Sequence, residues 1–379
     1  MEKVRAFIKE NDWEKIGVAA YYGYFAVNIL MKAFCYDHGD QVYKVFFAFG
    51  MSFLAIKIIT TKYTLREVIW AAVIAGVGLA LAVITKQNTW LLLFATIIGM
   101  KNCKFHTLIK IAVYIRVISL GVLVLGSYAG FFDIGYKTKP DTRYVEVPIY
   151  DFGMKEPNTA FLAVFLTLTV LLYYNYEKLN KWWFLGTSAV ALLFYEFTFC
   201  RTGIAVFFFC WALIIFEKCV KDKKIKFILA LSIPVGAVFS LVTMLFYNAG
   251  NPVMKLINHF VTGRIYIMNG YYKDQGISFF PRVQEYFYAS YHGLIDNTYM
   301  FVLLYCGVII AVFFFALVCM TLFKLYKMGY YKELVMIASM ALYGLLEQFI
   351  MNAFMNPFIL LCGILLYPGL LEGTNAVQE

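Results

Sequence analysis

Apolar segments long enough to cross a membrane recur along almost the whole chain, separated by shorter polar segments. About twelve windows could span a hydrocarbon layer of about 30 Å as helices. They lie at 14–35, 43–60, 65–85, 88–100, 106–128, 157–175, 183–200, 202–217, 225–247, 297–323, 333–351 and 353–371. The window at 88–100 is short, and the boundary near Asn352 to Pro357 is indistinct. The pattern predicts an all-α polytopic integral membrane protein of about twelve transmembrane helices, with residues 1–379 as one membrane domain.

The composition excludes a water-soluble domain, and the charges give an orientation. The chain is 62% hydrophobic and only 15% charged, with a mean hydropathy of +0.72. Most of the 33 lysines and arginines lie in short segments on one side of the predicted spans, as in the lysine-rich run 218–226. Basic loops mark the cytoplasmic side, so both termini are predicted to be cytoplasmic. This bias accounts for most of the net charge of +10, and a nucleic-acid partner is not indicated.

Two predicted external segments are unusually long, at about 131–156 and 248–296. Long loops more often carry function than short ones. In the second loop, Asn251-Pro252 is a typical helix start. Apolar residues then follow at helical spacing and predict a helix that lies against the membrane surface or against the bundle. These residues are Met254, Ile257, Val261, Ile265 and Met268.

Basic residues on the external side need a reason other than topology. Arg201 stands at a predicted tight external turn, in Glu196-Phe-Thr-Phe-Cys-Arg-Thr-Gly-Ile204. Arg264 falls at the boundary between the two faces of the predicted loop helix, where it either snorkels at the interface or reaches inward. Glu196 and Glu347 lie within predicted spans, so both are expected to be buried in the bundle and paired, and a structural pair is favoured over direct catalysis for each.

The last part of the second loop is dense in polar and aromatic residues. Asp296 and Asn297 lead into the next apolar run, and Asp296 is interpreted as a helix N-cap, a role compatible with that of a base. The tyrosines of this stretch fit equally an interfacial aromatic belt or a stacking surface for sugar rings. They are Tyr286, Tyr288, Tyr291 and Tyr299. In the first loop, Asn158 after Pro157 is interpreted first as a helix-start residue.

Four short motifs follow one another in order along nearly the whole chain. They are Gly153-x-x-x-Pro157-Asn158, Cys200-Arg201-Thr202-Gly203, Thr262-Gly263-Arg264, and Asp296-Asn297-x-Tyr299 continuing to Leu303-Leu304-Tyr305-x-Gly307. Glu347 with Asn356-Pro357 adds a fifth, weaker similarity. Together they resemble the bacterial O-antigen and capsular polysaccharide polymerases of the Wzy type, which are related to the O-antigen ligases.

The resemblance implies a membrane glycosyltransferase with a GT-C-related fold, in the bacterial cytoplasmic (cell) membrane with its active site facing outside. Its donor and acceptor would be undecaprenyl-pyrophosphate-linked oligosaccharides held in membrane lipid, with a chain-length regulator as a further candidate partner. The growing chain would move from its lipid pyrophosphate onto a new lipid-linked repeat unit. No cofactor and no metal is required, and the external segments offer no paired-carboxylate motif for one.

The chemistry of that reaction suggests roles for the candidate residues. Guanidinium groups bind phosphate oxygens in pairs, so Arg201 and Arg264 are the first candidates for pyrophosphate and Arg282 the third. Asp296 is the candidate base for the acceptor hydroxyl. The ligases carry a histidine before the asparagine, so nearby His292 competes for the role of base. Glu347 is a further catalytic candidate. The supporting or substrate-binding candidates are Asn158, Glu196, Asn297 and Tyr299.

Two alternatives remain. A ligase-like enzyme would use the same donor and differ in its acceptor, and the aspartate in place of the ligase histidine favours the polymerase. A lipid-linked oligosaccharide transporter would line a central cavity with basic residues and show related halves. Only Arg116 is both basic and deep within a predicted span, and no internal repeat is evident, so the enzyme is favoured.

Overall fold

The computed structural model describes residues 10–36, 40–132, 135–140, 146–283 and 293–371. Within these ranges the chain is almost entirely helical, with one β-hairpin. The first half contains α1 (Glu10–Ala33), α2 (Gln41–Thr60), α3 (Leu65–Thr85), α4 (Thr89–Gly99), α5 (Phe105–Tyr128), β1 (Tyr136–Pro140), β2 (Glu146–Tyr150), α6 (Pro157–Tyr174), a 3₁₀ turn (Tyr176–Lys178) and α7 (Lys181–Thr198). The second half contains α8 (Arg201–Cys219), α9 (Lys223–Ala230), α10 (Ser232–Leu245), α11 (Pro252–Phe260), α12 (Arg264–Gln275), α13 (Thr298–Met328), α14 (Tyr331–Tyr343) and two 3₁₀ segments (Pro357–Leu365 and Pro368–Leu371).

The described helices establish a membrane-embedded helical protein. Among them, α2, α3, α5, α6, α8 and α13 are long and apolar enough to cross a membrane. The pair α9 and α10, bent by 48°, makes a seventh if it is one span. The predicted windows 14–35 and 183–200 are helical as α1 and α7, although they are not among these six, and 88–100 forms the short α4. The all-α class is confirmed, and the total of about twelve spans stays a prediction.

The windows 333–351 and 353–371 were wrong as continuous transmembrane helices. Helix α14 ends at Tyr343, and the chain then runs through irregular turns until the 3₁₀ segment at Pro357. The Asn352 side chain accepts bonds from the amides of Phe354 and Met355, a local turn that competes with a helix. Proline at 357 also disfavours a helical residue before it. Hydropathy cannot detect such a break, because the side chains remain apolar and mostly buried.

The chain divides into two compact units. The first contains Met1–Val73, Ala95–Cys200 and Gly363–Glu379, and the second contains Ile74–Phe94 and Arg201–Cys362. In the first unit α1 packs against α2 and α5, α6 lies between α5 and α7, and the hairpin pairs Tyr136 with Tyr150. Pro157 begins α6 in its first turn, as predicted, and so the expected helix start is confirmed. In the same unit, the hydroxyl of the buried Tyr21 donates to the carbonyl of Thr96 at 2.7 Å.

In the second unit, α13 is a helical hairpin rather than one straight helix. The rings of Tyr299 and Phe315 stack with centroids 5.9 Å apart, whereas sixteen residues of continuous helix would separate them by about 24 Å. The chain reverses at Gly307, whose φ of 82° and ψ of 167° lie outside the helical region. Thr298–Cys306 is therefore a short buried helix that returns beside the longer stretch 308–328.

Three of the backbone groups released by this break find partners in the segment 278–282. The amides of Val308 and Ile309 donate to the carbonyls of Ser278 and Phe279, at 2.9 and 3.3 Å. The amide of Arg282 donates to the carbonyl of Tyr305 at 2.9 Å. A broken helix in an apolar setting requires such replacements, because an unsatisfied amide or carbonyl is costly there. The chain after α12 thus holds the hairpin closed.

Candidate functional site

Arg264 reaches its position through a sharp turn between α11 and α12. Thr262 and Gly263 both adopt left-handed backbone angles, with φ of 53° and 85°. Asn251 caps α11 through bonds from the amides of Val253 and Met254, so the predicted start is confirmed. The continuous helix expected from Met254 to Met268 is wrong, because this turn divides it. As the first residue of α12, Arg264 turns inward with only 8% of its side chain exposed.

All three nitrogens of the Arg264 guanidinium donate hydrogen bonds to neighbouring oxygens. Its Nε donates to the carbonyl of Leu346 at 2.5 Å, and its Nη2 donates to Glu347 Oε1 at 2.9 Å. Its Nη1 donates to the Thr262 hydroxyl and, at 3.5 Å, to the carbonyl of Val261. The inward orientation considered from the sequence is therefore the one observed. Glu347 forms an ion pair with an arginine, which is the structural pairing expected for it from the sequence.

Asp296 is the second carboxylate at this arginine. Its Oδ2 lies 3.9 Å from Arg264 Nη2, farther than Glu347 and outside hydrogen-bond distance. About one third of the Asp296 side chain is exposed, at 34%, against 21% for Glu347. Arg264 thus links a more exposed carboxylate from the segment before α13 to a less exposed one from the segment after α14. We refer to Arg264, Asp296 and Glu347 as the carboxylate–arginine cluster.

Asn297, rather than Asp296, caps the buried helix that follows. Its Oδ1 accepts from the amide of Met300 at 2.9 Å, so the expectation of an Asp296 cap is wrong by one residue. Its Nδ2 donates to Ser240 Oγ and to the carbonyl of Leu345, both at 3.0 Å. The Asp296 carboxylate is left facing Arg264. An aspartate released from capping is available for proton transfer.

Thr298 joins the two carboxylate segments. Its hydroxyl donates to the carbonyl of Glu347 at 2.7 Å, and its amide donates to the carbonyl of Gly344 at 2.8 Å. These bonds, with those of Asn297, fix residues 344–347 beside the start of α13. Sequence reasoning missed Thr298, Leu346 and Ser240 as members of the site. Thr298 and Ser240 are marked in the sequence only by a hydroxyl within an apolar run, and Leu346 contributes a backbone carbonyl, which leaves no signal in the sequence.

Burial dominates the electrostatics of the cluster. It raises the pKa of Asp296 from its ordinary value, and the positive charge of Arg264 opposes that shift. Burial also raises the pKa of Glu347 to about 7, helped by the negative charge of Asp296 and opposed by Arg264. Two carboxylates near one guanidinium leave an excess negative charge when both are ionised. The cluster can therefore take up a proton close to neutral pH.

The hydrogen bonds described for Arg282 and Tyr299 go to residues outside the cluster. Arg282 donates to Gln275 Oε1 at 2.7 Å and to the carbonyls of Gln275 and Gly276 at 2.8 and 3.0 Å, at the end of α12. Arg201 is exposed at the start of α8, and none of the described hydrogen bonds or ion pairs of the cluster involves it. Tyr299 is fully buried and donates to the carbonyl of Ala341 at 2.8 Å, which makes it a packing residue.

Three expectations concern other parts of the chain. Glu196 is exposed near the end of α7, so its predicted burial is wrong: the residue falls on the outward face of the last turn. Asn158 is exposed in the first turn of α6, in agreement with a helix-start residue. His292 lies outside the described residues, as do Tyr286, Tyr288 and Tyr291. Arg116 is buried within α5 of the first unit.

Comparisons of the chain with protein families, with curated proteins and with solved structures give no match. The functional assignment is therefore based on the geometry of the cluster. Among the described residues, no group of three or more His, Cys, Asp and Glu side chains is arranged to hold a metal ion. A buried arginine flanked by two protonatable carboxyls can bind an anion and accept a proton within the same site.

Proposed function

We propose that the chain is a polysaccharide polymerase, a membrane glycosyltransferase that extends glycans carried on undecaprenyl pyrophosphate. One observation carries the proposal: Arg264 is buried between Asp296 and Glu347, on three segments that are far apart in the sequence. Each of these residues belongs to a motif through which the sequence resembles Wzy-type polymerases. The GT-C-related arrangement, about twelve crossings, cytoplasmic termini and an outward-facing site in the cell membrane belong to the same proposal.

Arg264 is assigned to the pyrophosphate of the donor. When the anomeric bond breaks, negative charge develops on the leaving pyrophosphate, and a guanidinium stabilises it through charge-assisted hydrogen bonding. Glu347 accepts a hydrogen bond from Nη2 of the guanidinium. The donor pyrophosphate therefore replaces Glu347 there, and Glu347 takes up a proton as it leaves. A pKa of about 7 makes this uptake inexpensive near neutral pH.

Asp296 is assigned as the base. The acceptor hydroxyl forms a bond to the anomeric carbon while the bond from that carbon to the pyrophosphate oxygen breaks. The hydroxyl proton passes to the Asp296 carboxylate, which is the more exposed of the two and is not tied to the guanidinium by a hydrogen bond. Arg201 and Arg282 remain candidates for further phosphate contacts, and His292 remains the competing base. Asn297 positions Asp296 by holding the helix that follows it.

The direct test is incubation of purified protein with a synthetic lipid-pyrophosphate repeat unit. We expect a ladder of products, and we expect it to survive a chelator because the proposed chemistry uses no metal. Transfer of one glycan to a different acceptor without a ladder would favour the ligase-like alternative. Movement of the lipid-linked unit across vesicles with no product would favour the transporter. Both of these outcomes contradict the polymerase.

A further inference from the structure

Helix α11 presents its apolar side to the outside of the protein. None of the nine described residues Pro252–Phe260 is buried. Val253, Leu256 and Phe260 are 60%, 56% and 67% exposed, and a helical projection places them on one arc together with Ile257. In a water-soluble setting this arc would face the core. Its exposure means that the surroundings of α11 supply the apolar environment.

The polar side of α11 makes the contacts with the rest of the second unit. Asn258 Oδ1 accepts from the amide of Tyr266 at 3.0 Å, and Asn258 Nδ2 donates to the Tyr247 hydroxyl at 3.4 Å. Met254, Ile257 and Asn258 are half-buried, whereas Lys255 and His259 are exposed. The helix is thus attached through an amide and turns its aliphatic and aromatic side chains away from the protein.

The position of α11 in the chain brings it to the membrane surface. Only Phe246–Asn251 separates it from α10, the second half of the bent apolar pair that can cross the membrane. Six residues reach at most about 20 Å, so the helix cannot leave the vicinity of the bilayer. A short amphipathic helix with basic residues on its polar side is suited to the interfacial zone.

We infer that α11 lies in the plane of the membrane, with Val253, Leu256 and Phe260 inserted among phospholipid acyl chains and Lys255 facing the headgroups. The partner of this surface is the bilayer itself. Only Val261, Thr262 and Gly263 lie between α11 and Arg264. The position of α11 in the membrane plane therefore keeps the carboxylate–arginine cluster close to the membrane–water interface. A lipid-borne substrate would meet the cluster at that depth. That last consequence rests on the proposed function, whereas the position of α11 in the membrane plane does not.

Photo-crosslinking tests whether α11 lies in the membrane plane, without reference to enzymatic activity. A benzoylphenylalanine is introduced at position 256 or 260 of the full chain, and in matched variants at 255 or 259, all exposed positions where the fold should tolerate it. Each protein is reconstituted in vesicles of phosphatidylethanolamine and phosphatidylglycerol, irradiated and analysed by mass spectrometry. We expect several-fold more phospholipid adduct from 256 and 260 than from 255 and 259.

Two results would overturn the inference. Equal lipid yields on the two sides would show that α11 has no preferred face toward the bilayer. Adducts from 260 to a second copy of the chain, or to another segment of the same chain, would show that a protein surface covers the apolar arc. Loss of polymer synthesis in a variant that still forms lipid adducts bears on the proposed reaction alone, so the two proposals can fail separately.

Discussion

Arg264 Nη2 donates to Glu347 Oε1 at 2.9 Å, and this bond joins two segments separated by more than eighty residues of chain. Both groups are largely buried, with 8% and 21% of their side chains exposed. Removing one partner of a buried pair costs more than removing both, because it leaves an uncompensated charge. The pair therefore links the stability of the second unit to the chemistry proposed for it.

A double-mutant cycle measures that link. Arg264→Gln should destabilise the protein, because it leaves two carboxylates without their guanidinium, and adding Glu347→Gln should recover part of that loss. Glu347→Gln alone leaves Arg264 beside Asp296 and should change stability less. We expect a coupling of roughly 1–3 kcal/mol, as found for residues that share one network. Unfolding in detergent, followed by circular dichroism, gives the four values. Strict additivity would mean that the bond contributes nothing to folding.

Stability should depend on pH through Glu347. Its pKa is raised from 4.5 to about 7 in the folded protein, so folding favours the protonated form. The resulting contribution to the free energy of unfolding is fully present below pH 4.5 and is lost as pH rises through about 7. Asp296, with its pKa also raised, acts in the same direction. The melting temperature should therefore fall across this window, and Glu347→Gln should flatten much of the decline. An identical pH profile in the variant would exclude Glu347 as its source.

The cap at Asn297 should be more costly to remove than an ordinary surface cap. Asn297→Ala removes one accepted bond and two donated bonds at a buried site. Asn251→Ala, at the exposed cap of α11, is the matched control and should cost about 1 kcal/mol. Asn297→Asp keeps the accepting oxygen and should recover part of the loss. Equal effects at 251 and 297 would contradict the role of Asn297 in holding residues 344–347.

Gly307 should tolerate no side chain. A Cβ there would lie 2.7 Å from the carbonyl carbon of Phe280 and 2.8 Å from two carbonyl oxygens, all of them backbone atoms. Gly329 has a similar φ of 79° with open space around it, so Gly329→Ala measures backbone strain alone, about 1 kcal/mol. Gly307→Ala should cost clearly more and lower the yield of folded protein. Comparable losses at 307 and 329 would argue against the close approach of segment 278–282.

The sequence predicted local features well, because neighbouring residues determine them. The starts of α6 and α11 followed from Pro157 and from Asn251-Pro252. The break at Gly307 was missed because both arms of the hairpin are apolar, and hydropathy averages over them. The irregular stretch after Tyr343 was missed for the same reason. The partner of Arg264 depends on how distant segments fold together, so the sequence indicated only that Glu347 needed an arginine.

The most direct measurement of the central claim compares product ladders from purified variants given a synthetic lipid-pyrophosphate repeat unit. Arg264→Gln and Asp296→Asn should each reduce polymerisation by at least about a hundredfold, as expected when an anion-stabilising group or a general base is lost. Lys255→Gln, which removes an exposed basic residue from neighbouring α11, should retain activity within a few-fold of the parent. Ladders of normal length and rate from Arg264→Gln and Asp296→Asn would contradict the assignment of the carboxylate–arginine cluster as the active site.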